Sequence, residues 1–370
     1  MSYLDYGATS FHKPPQVSRA VERAMHTCAS PGRGGYAAAE QAARVVFRAR
    51  EEAGRLFSCR PEQVVFTMNC THGLNIAIRS LVHPGGRVVI SGFEHNAVTR
   101  PLHALNAALT VAGEKLVDWE DTLACFDRAL QPGVEAAVVT HVSNVFGYIL
   151  PLEDIARMCR DRGIPLIVDA AQSAGVLPLD FEGLGAAFLA MPGHKGLYGP
   201  QGTGLLLCSG DALPLLYGGT GSMSREQTMP EELPDRLEAG TQNVPGIAGL
   251  GAGMAWVRRR GPENLLLREH ALLTLCAGKL SEGGLRVFSG PHQAATLSYL
   301  PHGDCEEEAQ RLAEHGFALR AGLHCAPLAH RSAGTLETGT VRLSLGFDTT
   351  REDIEAFCAC AARGKIRHPR

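Results

Sequence analysis

No run of about 18 apolar residues occurs in the chain, so nothing in it is long enough to cross a bilayer as a helix. The opening MSYLDYGATS lacks the charged region and the apolar region of a secretory leader. A basic patch is missing as well. Lysine and arginine are scattered and the formal net charge is −3, so neither nucleic acid nor an anionic membrane is the implied partner. The eleven cysteines are an odd count without repeated spacing, which argues against a disulfide framework and for reduced thiols in a cytoplasmic protein. Cys358 and Cys360 stand two apart, a spacing that does not face one way on a helix, so they are neither a zinc pair nor a redox pair. No metal site is expected.

What is present suffices for a large core. The length of 370 residues, 45% of them apolar, fits two domains or one large α/β unit. From about residue 63 to 209 apolar runs of strand length (QVVFT, RVVIS, AAVVT, PLIVDAA, AAFLAMP) alternate with helical patterns. Among the helical patterns, THGLNIAIRSL places Leu74, Ile78 and Leu81 at three-to-four spacing, and DIARMCRDRG supplies a crossover before PLIVDAA. That alternation predicts a doubly wound sheet, parallel in the main. After residue 246 the pattern changes to helices (GIAGLGAGMAWVRRR, NLLLREHALLTLCAGKL), then short strands (LRVFSG, ATLSYLP, VRLSLG) between further helices, as in a smaller C-terminal domain.

The stretch from Pro165 to Gly204 organises the rest. PLIVDAA reads as a buried parallel strand with Asp169 at its carboxyl end, where open α/β sheets bind ligands. A carboxylate there is costly without a cationic partner, and a protonated pyridine nitrogen would be one. Lys195 follows a second apolar run among Gly193, Gly196, Gly199, Gly202 and Gly204, a density of tight turns that lets backbone approach a ligand. A desolvated lysine near other positive groups loses its proton readily and can form a Schiff base. Taken singly, Asp169 reads equally well as a loop cap and Lys195 as a solvated side chain. Thr71 and Gly73 open a helix, a position that suits a phosphate or a plain threonine cap.

VDAAQ followed by GHK and YGPQGTG resembles the cofactor-binding core of the class V aminotransferase-fold enzymes, the fold-type I family that includes cysteine desulfurases and selenocysteine lyases. YLDYGAT, with Gly7 where alanine is usual, EHNAV, HVSNVFG, EAGTQN and ALRAGLHCAPL match further elements in order, so the resemblance covers nearly the whole chain. It implies an α/β fold with a mainly parallel seven-stranded sheet in a large domain at residues 15–245. A small α+β domain would be made of residues 1–14 and 246–370. It also implies pyridoxal 5'-phosphate as cofactor, bound by Lys195, with Asp169 on the ring nitrogen and His95 stacked on the ring. Asn144 would lie beside the cofactor, Gln172 on its phenolic oxygen, and Thr71, Gly73 and His194 at its phosphate. By the same resemblance Thr241 reaches the phosphate of the other subunit's cofactor, which implies a homodimer with shared sites. Cys70, His72 and Pro192 depart from the family pattern around that phosphate.

The residues that would select the reaction lie near the C-terminus. Arg320 and His324–Cys325 resemble the RxGxHCAxP element of group II cysteine desulfurases, and Arg342 fits the arginine that clamps a substrate α-carboxylate. Arg33 lies where relatives place a loop arginine near the neighbouring subunit's site. Taken singly, Cys325 reads as one inert thiol among several, His95 as a structural histidine and Arg342 as an exposed strand residue. The implied reaction is conversion of L-cysteine to L-alanine, with Lys195 moving the α-proton and the sulfur left as a persulfide on Cys325 for a sulfur-acceptor protein. L-selenocysteine is an alternative substrate. An aminotransferase or C–S lyase would keep Lys195 and Asp169 without needing Cys325, and a non-enzymatic sulfur-carrier scaffold would need neither.

Overall fold

Four strands in the first two-thirds of the chain, Ala136–Thr140, Leu166–Asp169, Phe188–Pro192 and Gly204–Cys208, are buried at every residue. Strands covered on both faces read as continuous apolar runs, and these lie at the middle of one sheet. A computed structural model describes residues 1–32 and 34–363. In chain order the first elements are β1 (Ser2–Tyr3), α1 (Pro15–Thr27), α2 (Ala37–Phe57), β2 (Val64–Thr67), α3 (Cys70–Leu81) and β3 (Arg87–Ser91). Then come α4 (Asn96–Ala104), β4 (Ala108–Ala112), α5 (Trp119–Ala129), β5 (Ala136–Thr140), α6 (Leu152–Asp161) and β6 (Leu166–Asp169). The short α7 (Phe181–Leu184), β7 (Phe188–Pro192) and β8 (Gly204–Cys208) complete this part.

The large sheet has seven strands in the order β2-β8-β7-β6-β5-β3-β4. β8 alone runs against its neighbours, so the doubly wound, mainly parallel sheet expected from the alternation is present. Its helices hold their faces by ordinary amphipathic spacing: α6 buries Leu152, Ile155, Ala156 and Cys159 and leaves its charged residues outside. The strand AAVVT stops at Thr140, and Asn144 lies in the loop beyond it. β4 escaped the sequence reading because four of its five residues are exposed at the sheet edge.

The second part comprises α8 (Val244–Arg260), α9 (Pro262–Glu282), β9 (Arg286–Phe288), β10 (Thr296–Leu300), α10 (Cys305–Glu314) and β11 (Phe317–Ala318). It ends with β12 (Arg320–Gly322), α11 (Pro327–Ala333), β13 (Thr340–Ser344) and α12 (Arg351–Ala361). β12, β13, β10 and β9 form an antiparallel sheet, backed by a core of Leu297, Tyr299, Leu343, Ile354 and Phe357. The N-terminal residues join this part: β1 pairs in parallel with β11, and Asp5 bridges Ser344 at the end of β13. α8 instead packs against α1 and α2, so a division at 245/246 falls inside a helix that leans on the first part.

One buried acid registers the fit between the two parts. Glu269 on α9 is 3% exposed and lines a cavity of about 30 Å³ together with Gln172, Lys195, Tyr198 and Ser344. Burial pushes its carboxyl up to about 8 against a weaker opposing pull from Arg268. An unfolded glutamate titrates near 4.3, so from roughly there to about 8 the folded state holds the extra proton. Stability therefore falls as pH rises across that window. Glu269→Gln should lose less melting temperature than the parent between pH 5.5 and 8.5; equal losses would show that the carboxyl is charged in the folded state.

Candidate active site

The site grows from the carboxyl edge of three adjacent strands. β6 ends on Asp169, which is 2% exposed. Its Oδ1 accepts the Ala171 N–H at 2.9 Å and the Cys70 thiol at 3.4 Å, and among the described residues no donor reaches Oδ2. β7 runs parallel to β6 and turns sharply after Pro192, which delivers His194 and Lys195 opposite that carboxylate. The turn demands glycine for a steric reason. A Cβ on Gly193 would lie 2.1 Å from Thr203 Oγ1, and one on Gly196 would lie 2.5 Å from the Ala174 carbonyl. Lys195 titrates below the usual lysine range, because burial and the Arg342 charge outweigh the attraction of Asp169. The Lys195 amine, its proton held less tightly than usual, and the buried Asp169 carboxyl group therefore stand at neighbouring strand ends.

His95 caps α4 with its ring. Nδ1 accepts the Ala97 N–H at 3.0 Å, so in the neutral imidazole the hydrogen sits on Nε2. Burial depresses its basicity, with Lys195, Arg342 and Arg100 adding to that and Asp169 opposing it. His194 is fixed in a similar way: Nδ1 lies 3.0 Å from Thr9 Oγ1. Burial and the nearby Lys195 push it down to about 4, so it is uncharged at neutral pH.

At the start of α3 the cap is Asn69, whose Oδ1 accepts the His72 N–H at 2.9 Å; Thr71 is left exposed in the first turn. Gly73 is buried in the first turn of α3. Its N–H already bonds the Asn69 carbonyl at 3.3 Å, and its missing side chain faces Ala190 and Leu206 on the sheet. Thr241 is exposed in a loop that lines a cavity of about 220 Å³ with Met68, His72 and Glu238. Gln172 turns its amide nitrogen to the Gly7 carbonyl at 3.0 Å. Arg33 lies outside the described residues.

The second half of the site comes from β12, β13 and the loop between them. Arg342 is 3% exposed, where an exposed strand residue was the plain alternative. It donates to the Asn144 carbonyl and to Asp5 Oδ1, both at 2.9 Å, while its buried Nε has no partner among the described residues. Arg320, half exposed, holds the other oxygen of Asp5 at 2.8 Å. Asp5 thus orients both arginines, a role the sequence analysis did not assign. Cys325 is exposed on a loop where His324 and Cys325 both have left-handed backbones, with φ of 50° and 57°. Two hydrogen bonds of 2.8 Å hold the loop: the Asn96 N–H to the Cys325 carbonyl, and the Asn144 amide to the His324 carbonyl.

A lysine and an acid at the carboxyl ends of a doubly wound sheet, under a buried arginine from a second sheet, define an α/β enzyme acting on a small molecule with a carboxylate. The comparisons agree. The family model of aminotransferase class-V matches residues 2–357, and the chain belongs to that family. A "Probable cysteine desulfurase" of Methanothermobacter thermautotrophicus is 33% identical over 95% of this chain and 92% of its own length. Another protein of that name, from Xylella fastidiosa strain 9a5c, is 32% identical over 92% of this chain and 82% of its own. Among solved structures, the apo cysteine desulfurase of Thermococcus onnurineus NA1 superposes with a TM-score of 0.88 at 28% identity, covering 97% of this chain and 93% of that one. The Escherichia coli cysteine desulfurase in its S-sulfonic acid form gives 0.85 at 26% identity, covering 98% and 94%. Among the described residues no helix is long and apolar enough to cross a membrane.

Proposed function

We propose that the protein is a pyridoxal-phosphate-dependent cysteine desulfurase that forms L-alanine and leaves sulfur on Cys325. The observation that carries this reading is that the left-handed Cys325 loop and the buried Arg342 are joined through Asn144, with the Arg342 charge acting on Lys195 beyond the end of β7. The residues fit the cofactor. Lys195 has a depressed proton affinity, Asp169 Oδ2 is free of described donors, and the Thr71 hydroxyl stands in the first turn of a helix. Lys195 would hold pyridoxal 5'-phosphate covalently, with Asp169 at its ring nitrogen, His95 against its face and Thr71 and His194 at its phosphate. Bound there, the cofactor supplies the electron sink for bond changes at the substrate's α-carbon.

The chain's own residues do the rest. Arg342 binds the α-carboxylate through the N–H groups that Asp5 and Asn144 leave free, and Arg320 closes the same side. Lys195 Nζ, its proton affinity lowered by burial and by Arg342, moves the α-proton. Cys325 Sγ attacks the substrate sulfur: an S–S bond forms, the carbon–sulfur bond breaks, and a proton replaces sulfur on the substrate's β-carbon. The products are alanine and a Cys325 persulfide, which an acceptor thiol can collect because Cys325 is exposed. The exposed Thr241 loop supports a homodimer in which that loop completes the partner's site.

Product analysis with L-cysteine tests the reading. The parent should give alanine and, with reductant, an equal yield of sulfide, and Cys325→Ala should lose at least about 100-fold of both. Pyruvate as the product, or alanine formation indifferent to the substitution, would assign a lyase or an aminotransferase instead.

A further inference from the structure

Cys70 is a buried thiol that the mechanism above does not use. It opens α3, is 7% exposed, and reaches across to the end of β6, where its Sγ lies 3.4 Å from Asp169 Oδ1. Burial and the adjacent Asp169 charge push the thiol well above its ordinary value, outweighing the opposing Lys195, so it remains an S–H donor. The Ala171 N–H occupies the same oxygen at 2.9 Å. Two donors on Oδ1 and none described on Oδ2 pin the carboxylate and leave its second oxygen without a described partner.

We propose that Cys70 is a positioning residue: its S–H fixes Asp169 and sets how strongly that carboxylate holds the positive charge on the cofactor's ring nitrogen. This rests on the reading of the site given under Proposed function. A donor on Oδ1 draws charge away from the carboxylate, so a stronger donor leaves less for the ring nitrogen and a missing donor leaves more. A thiol is a weak donor, which places Cys70 between the two.

The opposite signs make the proposal testable apart from packing. Alanine and serine are both smaller than cysteine, so a role in packing alone moves Cys70→Ala and Cys70→Ser the same way. The readout is the pH midpoint of the visible band of the lysine-bound cofactor in purified holoenzyme. Charge held on the ring nitrogen lowers that midpoint by like-charge repulsion. Cys70→Ala should therefore lower it and Cys70→Ser raise it, each by roughly half a pH unit. Should Cys70→Ala fail to fold, Cys70→Val keeps bulk without a donor and carries the same expectation. Midpoints that shift together, or not at all, overturn the proposal. A parent protein that shows no visible band with pyridoxal phosphate would overturn the reading of the site itself.

Discussion

Lys195→Ala should abolish the visible absorbance of added pyridoxal phosphate and lower turnover of L-cysteine by about three orders of magnitude or more. The expectation follows from placement. Lys195 is delivered by a turn whose glycines admit no side chain, into the field of Asp169 and Arg342, and no other lysine shares that cleft among the described residues. Lys195→Arg keeps a positive charge and should be as inactive, because the guanidinium neither bonds covalently to the aldehyde nor gives up its proton. A Lys195→Ala protein retaining even a tenth of the parent's turnover would move the chemistry to another group.

Asp5→Ala should be the most destabilising single change at the site, by about 3–5 kcal/mol in urea unfolding, because it strands a buried guanidinium without its counter-charge. Arg342 is 3% exposed, and among the described residues Asp5 is its only carboxylate partner. The milder Asp5→Asn keeps the shape and should show its effect in binding, raising KM for L-cysteine by about tenfold as Arg342 loses its aim. A loss below about 1 kcal/mol for Asp5→Ala would mean that solvent reaches the arginine and that its burial is not a constraint.

The central sheet and half of the site were legible because their signals are local. Asp169, Lys195, His95 and Asn144 each follow a short apolar run, so the strand that precedes them also states which end of the sheet they occupy. What stayed hidden depends on distant partners. Asp5 carries no local mark, and its meaning lies in Arg342 and Arg320. Gly73 follows the Asn69 cap, and only the structure shows it lying against Ala190 and Leu206 on the sheet. Cys70 looks like a replaced hydroxyl until its contact with Asp169 is seen. The short helices α7 and α11 span too few turns for a periodic pattern to form.

The pairing of β1 with β11 and of Asp5 with Arg342 also has a consequence for how the enzyme comes into being. The two partners of that ion pair are 337 positions apart. During synthesis Asp5 must wait, unpaired, until the intervening residues and Arg342 have followed it. The central sheet needs only residues 64–208 and can close earlier. Competence for substrate then follows closure of the sheet, and a product truncated before Arg342 that has folded its sheet carries no working carboxylate clamp.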